Sequence, residues 1–246
     1  MNLFTVITVT YNAEYTLLRT LKSVQEQTYQ NIEHIIIDGE STDNTVKLIE
    51  QYETAHTRWL SEKDKGIYDA MNKATAMAKG EYICYLNAGD AFYEKETVEK
   101  LIASAKQYTY PDIMYGETVI VNNEGSFLYN RRLKAPERLH WKSFKWGMLV
   151  CHQAFIIRRE LFEPYDLTYH FSSDVDWCIR LMKKSKSIVN IHEVLIKYLN
   201  EGVTTANRKA SLKERFEIMR KHYGTLSTML YHAWFVVRAI INPEKK

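Results

Sequence analysis

The chain is poor in the residues that interrupt or staple a polypeptide. Nine glycines and four prolines among 246 residues exclude a collagen-like or low-complexity chain. Only three cysteines occur, Cys84, Cys151 and Cys178, far apart and without metal-ligand spacing, which excludes a disulfide scaffold and a zinc module. Each has apolar neighbours, so buried free thiols in a reducing compartment are expected. Neither sign of charge prevails: a formal net charge of +3 gives no ground for nucleic-acid binding, and none is expected. No uninterrupted apolar run reaches the length of a membrane span. The opening MNLFTVITVTYN lacks a basic start and a small-residue cleavage site, and reads as a first strand and not a signal peptide. Together these absences predict a cytoplasmic protein.

What remains has the composition of an ordered enzyme or binding domain, with 46% apolar and 26% charged residues. The first half alternates in period. LFTVITVT is a β-rich run, Glu14 to Gln27 sets Leu17, Leu18, Leu21 and Val24 at helical spacing, and IEHIIID is a second buried strand. Ser41 to Asp43 are expected to cap a helix through Tyr52; RWLSE is a short strand, Gly66 to Lys79 a helix, and EYICYL a strand again. Such alternation predicts an α/β fold whose mostly parallel sheet has helices on both faces and binds ligands at the carboxyl ends of its strands. The half beyond Asp112 is less regular, with a strand pair around DIMYGETVIVNNEGSFLYN, a strand in HQAFIIRR, a helix in SSDVDWCIRLMKK and helical structure from Ala210.

Chemistry is therefore sought in four strand-end turns: TYNAE, DGESTD, SEKDKGIYD and NAGD. At the first, Thr10, Tyr11 and Asn12 offer a ring that stacks on a base and an amide that bonds a ligand, although Asn after a strand also begins many helix caps. At the second, Asp38 can accept from a base N–H or a ribose hydroxyl. The third crowds Glu62, Asp64, Asp69 and Asn72 around a glycine, with Asp69 and Asn72 on adjacent turns of one helix face and both expected to contact the nucleotide. The fourth presents Asn87 and a single acid, Asp90. Asn, Gly and Asp make up any turn, yet one carboxylate suffices where a hard cation takes its other oxygens from substrate phosphates.

The order VTYN, IIIDGESTDNT, DKGIYDAMNKA and GEYICYLNAGD resembles the inverting family 2 glycosyltransferases with the GT-A fold, over about the first hundred residues. In that family the acidic motif after the fourth strand reads Asp-x-Asp; here Asn87 stands in the first acidic place. The resemblance implies that Asp90 binds a divalent cation, Mn2+ or Mg2+, and that Asp38 and Asp64 contact the nucleoside of a UDP-sugar donor with Tyr11 and Asn12 lining its site. His152 in VCHQAF is, as a lone histidine near apolar residues, a structural group or, by the same resemblance, a ligand of metal or diphosphate. Gly202, Thr204 and Thr205 resemble a loop that closes over the donor, with Arg208 and Lys209 as diphosphate contacts. The base that activates the acceptor is expected in HFSSDVDWCIRL. With Ser173 as N-cap, Asp176 falls in a capping box and pairs with Arg180, leaving Asp174 free, or merely complementing the helix dipole. The family's Glu-Asp motif falls here, with Ser173 replacing the Glu and Asp174 matching the catalytic Asp. On this reading residues 1–110 bind the nucleotide-sugar, 111–209 hold acceptor and base, and 210–246 form a helical extension.

The acceptor implied is a saccharide, free or linked to polyprenyl pyrophosphate, in bacterial surface-polysaccharide synthesis. Arg131, Arg132, Lys134, Arg138, Lys142 and Lys145, interleaved with Trp141, Phe144 and Trp146, suit nucleic acid, an anionic membrane or only water. A cytoplasmic sugar transferase favours the membrane, through 131–146 and the apolar segment 228–246, although that segment also reads as a helix packed on the body. Two other functions compete. A sugar nucleotidyltransferase usually needs a glycine-rich, basic first loop, which TVTYNAEYT lacks. A non-catalytic nucleotide-sugar-binding module of a polysaccharide assembly complex is favoured by Asn87 and Ser173 standing where acids are usual.

Overall fold

Strands form where apolar and β-branched residues run without interruption. In the computed structural model, which describes residues 3–200 and 208–241, Phe4–Thr10 (β1), Ile32–Asp38 (β2) and Tyr82–Tyr85 (β4) are buried at every position. Unbroken burial is what a strand covered on both faces requires. β1 lies between β2 and β4, and Thr57–Ser61 (β3) adds beyond β2, all four parallel. Alternate residues of β2 face opposite ways. Ile35 and Ile37 join the main core, whereas Ile36 packs with Leu17 and Leu21 of Leu17–Gln25 (α1) and Ile49 of Thr45–Tyr52 (α2). Ile67–Met77 (α3), Thr97–Gln107 (α4) and Ser173–Lys184 (α5) supply side chains to the main core.

The second half mixes directions. Ala91–Phe92 (β5), Ile113–Val121 (β6), Phe127–Asn130 (β7), Phe155–Arg158 (β8) and Ile188–Leu199 (β9) bring the sheet to nine strands. Their order is β3-β2-β1-β4-β8-β6-β9-β5, with β7 paired to β6. β8 is antiparallel to β4 and β6, while β9 is parallel to β6, so that β6 and β9 run with the first four strands, and β5, β7 and β8 run against them. Arg208–Tyr223 (α6) and Thr225–Ile241 (α7) follow. Among the described residues no helix is long and apolar enough to cross a membrane. All three cysteines are free and buried, as expected.

Several sequence expectations are corrected. Strand β9 is absent from the sequence reading because its alternation is broken: β6 advances from Tyr115 to Glu117 while β9 advances from Asn190 to Val194. The extra residues bulge around His192, at φ +57°, and Gly116 permits it, since a Cβ there would lie 2.5 Å from the Glu193 carbonyl oxygen. His152 begins a 3-10 turn, His152–Ala154, and not the strand that follows it. Ser41 does not cap α2, whose N-cap is Asn44; its hydroxyl serves Asp38 instead. Arg131 is no part of a free basic surface, because its guanidinium donates to the carbonyls of Leu133, Met148 and Leu149, and Phe144 is buried. Helix α5 is capped at Ser172, one residue earlier than expected, so Asp174 and Asp176 take its second and fourth positions and no capping box forms.

The expected partner of Asp176 is nonetheless in place. Arg180 Nε donates to its Oδ2 at 2.7 Å, and Lys221 Nζ and His222 Nε2 of α6 reach its Oδ1 at 3.1 and 2.8 Å. Burial alone would raise the pKa of this fully enclosed carboxyl; the hydrogen bonds from His222, Arg180 and Lys221 outweigh burial and hold it well below the usual range. Asp176→Asn, which strands the Arg180 and Lys221 cations, is expected to cost about 3–5 kcal/mol at pH 7. Because the folded pKa lies below the unfolded one, this stabilisation is complete above about pH 4 and fades as pH falls toward the folded value. Denaturant melts of both proteins at pH 7 and in acid should show the deficit shrinking at low pH.

Candidate active site

The carboxyl ends of β1, β2 and β3 are bound together by one buried acid. Asp38 Oδ2 accepts from Ser41 N at 2.9 Å and Ser61 Oγ at 2.7 Å, and Oδ1 accepts from Ser41 Oγ at 2.5 Å. Ser41 Oγ in turn accepts from Asn12 N at 2.8 Å, and Asn12 Oδ1 accepts from Thr42 N at 2.9 Å. Asn12 sits at φ +46°, a left-handed conformation that asparagine tolerates better than most residues. This mesh leaves Tyr11 projecting, 64% exposed. Opposite it, a Cβ at Gly39 would lie 2.7 Å from Asp64 Oδ2 and 3.4 Å from the Tyr11 ring. Tyr11, the bare Gly39 and Asp64 thus close a slot with a flat ring and an anionic acceptor, suited to stacking a base and accepting its N–H.

Asp64 is held by its own turn, accepting from Gly66 N at 2.8 Å, with Gly66 at φ +112°. Beside it a cleft of about 480 Å³ is lined by Lys63, Asp64, Lys65, Asp69 and Lys73. Asp69 accepts from Lys65 N and pairs with Lys73, which also pairs with Glu62 at 2.8 Å. Asn72 has different work from the nucleotide contact expected of it: both ends of its amide bond the backbone of Tyr165, at 3.1 and 2.8 Å.

At the end of β4, two buried acceptors differ in satisfaction. Asp90 is 3% exposed; its Oδ2 accepts from Gln153 Nε2 at 2.8 Å and its Oδ1 from Leu199 N at 2.9 Å. Burial raises its pKa to about 7, against the opposing effects of those two bonds and of Arg19. Asn87 Oδ1, in contrast, is buried without a hydrogen-bond partner among the described residues, as is Thr10 Oγ1 at the end of the adjacent strand. Among the described residues no group of three His, Cys, Asp or Glu side chains is placed to hold a metal ion. The oxygens of Asn87 and Asp90 still suit a hard cation whose remaining ligands are phosphate and water.

Across the site, Asp174 Oδ1 accepts from Tyr68 Oη at 3.1 Å and from Val175 N at 3.0 Å, and Oδ2 has no partner among the described residues. Tyr68, from α3, stacks on Tyr165 at 5.4 Å, and Tyr165 stacks on Trp177 at 4.8 Å. His152 belongs to this aromatic nest and not to an open ligand position. Its Nε2 lies 2.5 Å from Tyr165 Oη, its ring stacks on Tyr85, and burial lowers its pKa to about 4, so it is neutral at pH 7. Lys209 is exposed at the start of α6; Gly202, Thr204, Thr205 and the side chain of Arg208 lie outside the described residues. Tyr68 and Gln153 were inside quoted motifs without a role assigned. Arg19, whose guanidinium donates to the Gly89 carbonyl, carried no sequence signal at all.

The chain and its fold are similar to those of known glycosyltransferases. The sequence model described as glycosyl transferase family 2 matches residues 5–165. A "PGL/p-HBAD biosynthesis glycosyltransferase" of Mycobacterium tuberculosis is 29% identical over 209 residues, covering 81% of this chain and 77% of its own. The "UDP-Glc:alpha-D-GlcNAc-diphosphoundecaprenol beta-1,3-glucosyltransferase WfgD" of Escherichia coli is 25% identical over 223 residues, covering 88% and 85%. Among solved structures, S. aureus TarS 1-349 in complex with UDP-GlcNAc aligns with a TM-score of 0.72 at 19% identity, covering 98% of this chain and 73% of that one.

The carboxyl of Asp90 makes a testable demand on stability. Its folded pKa exceeds the unfolded one, so between about pH 4 and its folded value the native state holds a proton the unfolded state has released. The group's contribution then falls by about 1.4 kcal/mol per pH unit as pH rises. Denaturant melts from pH 5 to 8 should show wild type losing stability relative to Asp90→Asn across that window.

Proposed function

This chain belongs to glycosyl transferase family 2, and on that premise we propose that it moves a sugar from a UDP-sugar to a saccharide hydroxyl with inversion, Asp174 acting as the base. That it is a glycosyltransferase with the GT-A fold follows from the family and the fold. The donor, the stereochemistry and the acceptor are our reading. One observation carries it: helix α3, which leaves the turn holding Asp64, also supplies the Tyr68 hydroxyl that orients Asp174. The nucleotide slot and the base are therefore tied by one rigid element, with Asp174 Oδ2 left open to accept a proton.

In the displacement, the acceptor hydroxyl passes its proton to Asp174 Oδ2 as its oxygen attacks the anomeric carbon. The bond from that carbon to the diphosphate oxygen breaks on the opposite side, and its electron pair leaves with the nucleotide. Tyr11 stacks the base, Asp64 accepts from it, and Asp38 holds the two turns in register. Thr10 Oγ1 and Asn87 Oδ1, buried and without a hydrogen-bond partner among the described residues, support a polar ligand here. Asn87 and Asp90 are the residues that would hold a divalent cation, Mn2+ or Mg2+, whose chemistry is to neutralise the leaving diphosphate. UDP-GlcNAc in the TarS structure and UDP-Glc in the name of WfgD support uridine, and the diphosphoundecaprenol in that name supports a lipid-linked acceptor.

Asp174→Asn should lower kcat by about 10²–10⁴-fold. Calorimetry should find UDP-sugar affinity unchanged; loss of binding with retention of turnover would refute the assignment. Tyr68→Phe should reduce kcat by about tenfold through one lost hydrogen bond, with little change in donor KM. In thermal-shift assays with nucleoside diphosphates, stabilisation by UDP should depend on Mn2+ and weaken in Asn87→Ala.

A further inference from the structure

Helix α7 has two apolar faces where a surface helix needs one. Thr228, Tyr231, His232, Phe235 and Arg238 face the protein: Thr228 is fully buried, His232 meets Phe216 at 5.0 Å, and Arg238 Nη1 donates to the Trp146 carbonyl at 3.2 Å. Leu226, Met229, Leu230, Trp234, Val236 and Val237 face solvent, Leu226 being 74% and Leu230 65% exposed. Leu226, Leu230 and Val237 follow i, i+4, i+11 spacing, a continuous stripe opposite the packed one. An exposed apolar patch of this kind marks a surface with a partner.

The charge around it identifies that partner. The described part of α7 contains no acid. Its inner face packs on the Trp141–Trp146 turn, where Trp146, itself half exposed, meets Tyr231 at 4.8 Å and Trp234 at 6.4 Å. The segment leading into that turn has Glu137 as its one acid and carries Lys134, Arg138 and Lys142 exposed. A second copy of the chain docked face to face would bring these like charges together. An anionic surface would be attracted by them while the apolar stripe enters its hydrocarbon edge, with Trp146 and Trp234 at the level where amphipathic rings settle. At 17 residues, about 26 Å, and packed along one side, α7 lies in such an interface and does not cross it.

We propose that the outer face of α7, with the basic residues 134–142, docks the protein on an anionic phospholipid surface. This does not depend on the identity of donor or acceptor. The test is flotation of the full chain with vesicles of phosphatidylglycerol and phosphatidylcholine, against phosphatidylcholine alone, at low and high salt. Wild type should float with the anionic vesicles, and high salt should weaken but not abolish binding. L230E/V237E should bind about tenfold or more weakly at an unchanged melting temperature, and K134E/R138E should lose the preference for anionic lipid. Wild type staying in the soluble fraction, or L230E/V237E floating as wild type does, would overturn the proposal. So would light scattering that finds a wild-type dimer converted to monomer by L230E/V237E, which would make the stripe a subunit seam.

Discussion

The geometry of the site depends on a carboxylate buried at the end of β2. Asp38 receives hydrogen bonds from the turn after its own strand and from the last residue of β3, and through Ser41 it reaches the turn after β1. Three strand ends, otherwise free to splay, are fixed to one another by this carboxylate. A buried carboxylate without those donors would be costly, and with them it sets the spacing between the Tyr11 ring and Asp64. The exposed Tyr11 ring and the Asp64 turn are therefore held by an interior network.

What was legible in the sequence was what local pattern encodes. The unbroken apolar runs of β1, β2 and β4 announce themselves, and Asp176–Arg180 is an i, i+4 pair whose salt bridge follows from helical spacing alone. What was illegible depends on partners distant in the chain. NAGD reads as an exposed turn, yet Gln153 and Leu199, 63 and 109 residues further on, enclose Asp90. Asn72 and His152 carry residue types suited to ligands and are used within the protein, because Tyr165 folds back between them. Strand β9 was hidden by its bulge, since a period-2 pattern is lost where extra residues enter. The cap of α5 was misplaced by one residue because Ser172 and Ser173 are equally good caps on chemistry alone.

The C-terminal helices are part of the same mechanical unit as Asp174. Asp176 and Asp174 share helix α5, and Asp176 is gripped by Lys221 and His222 of α6, which α7 follows after Gly224. Tyr223 extends this connection, donating to the Trp141 carbonyl and stacking on its ring. Whatever orients α7 thus acts on a helix that is salt-bridged to the one carrying Asp174, with few soft joints between them.

The buried thiols give this molecule built-in reporters of its own opening. Burial pushes all three cysteines above their ordinary pKa, so little thiolate exists in the native state and alkylating reagents must wait for the structure to part. Cys84 lies in the central strand β4, whereas Cys178 lies one helical turn beyond Asp174 on α5. The ratio of their labelling rates reports how often the helix bearing Asp174 comes away while the sheet beneath it stays whole.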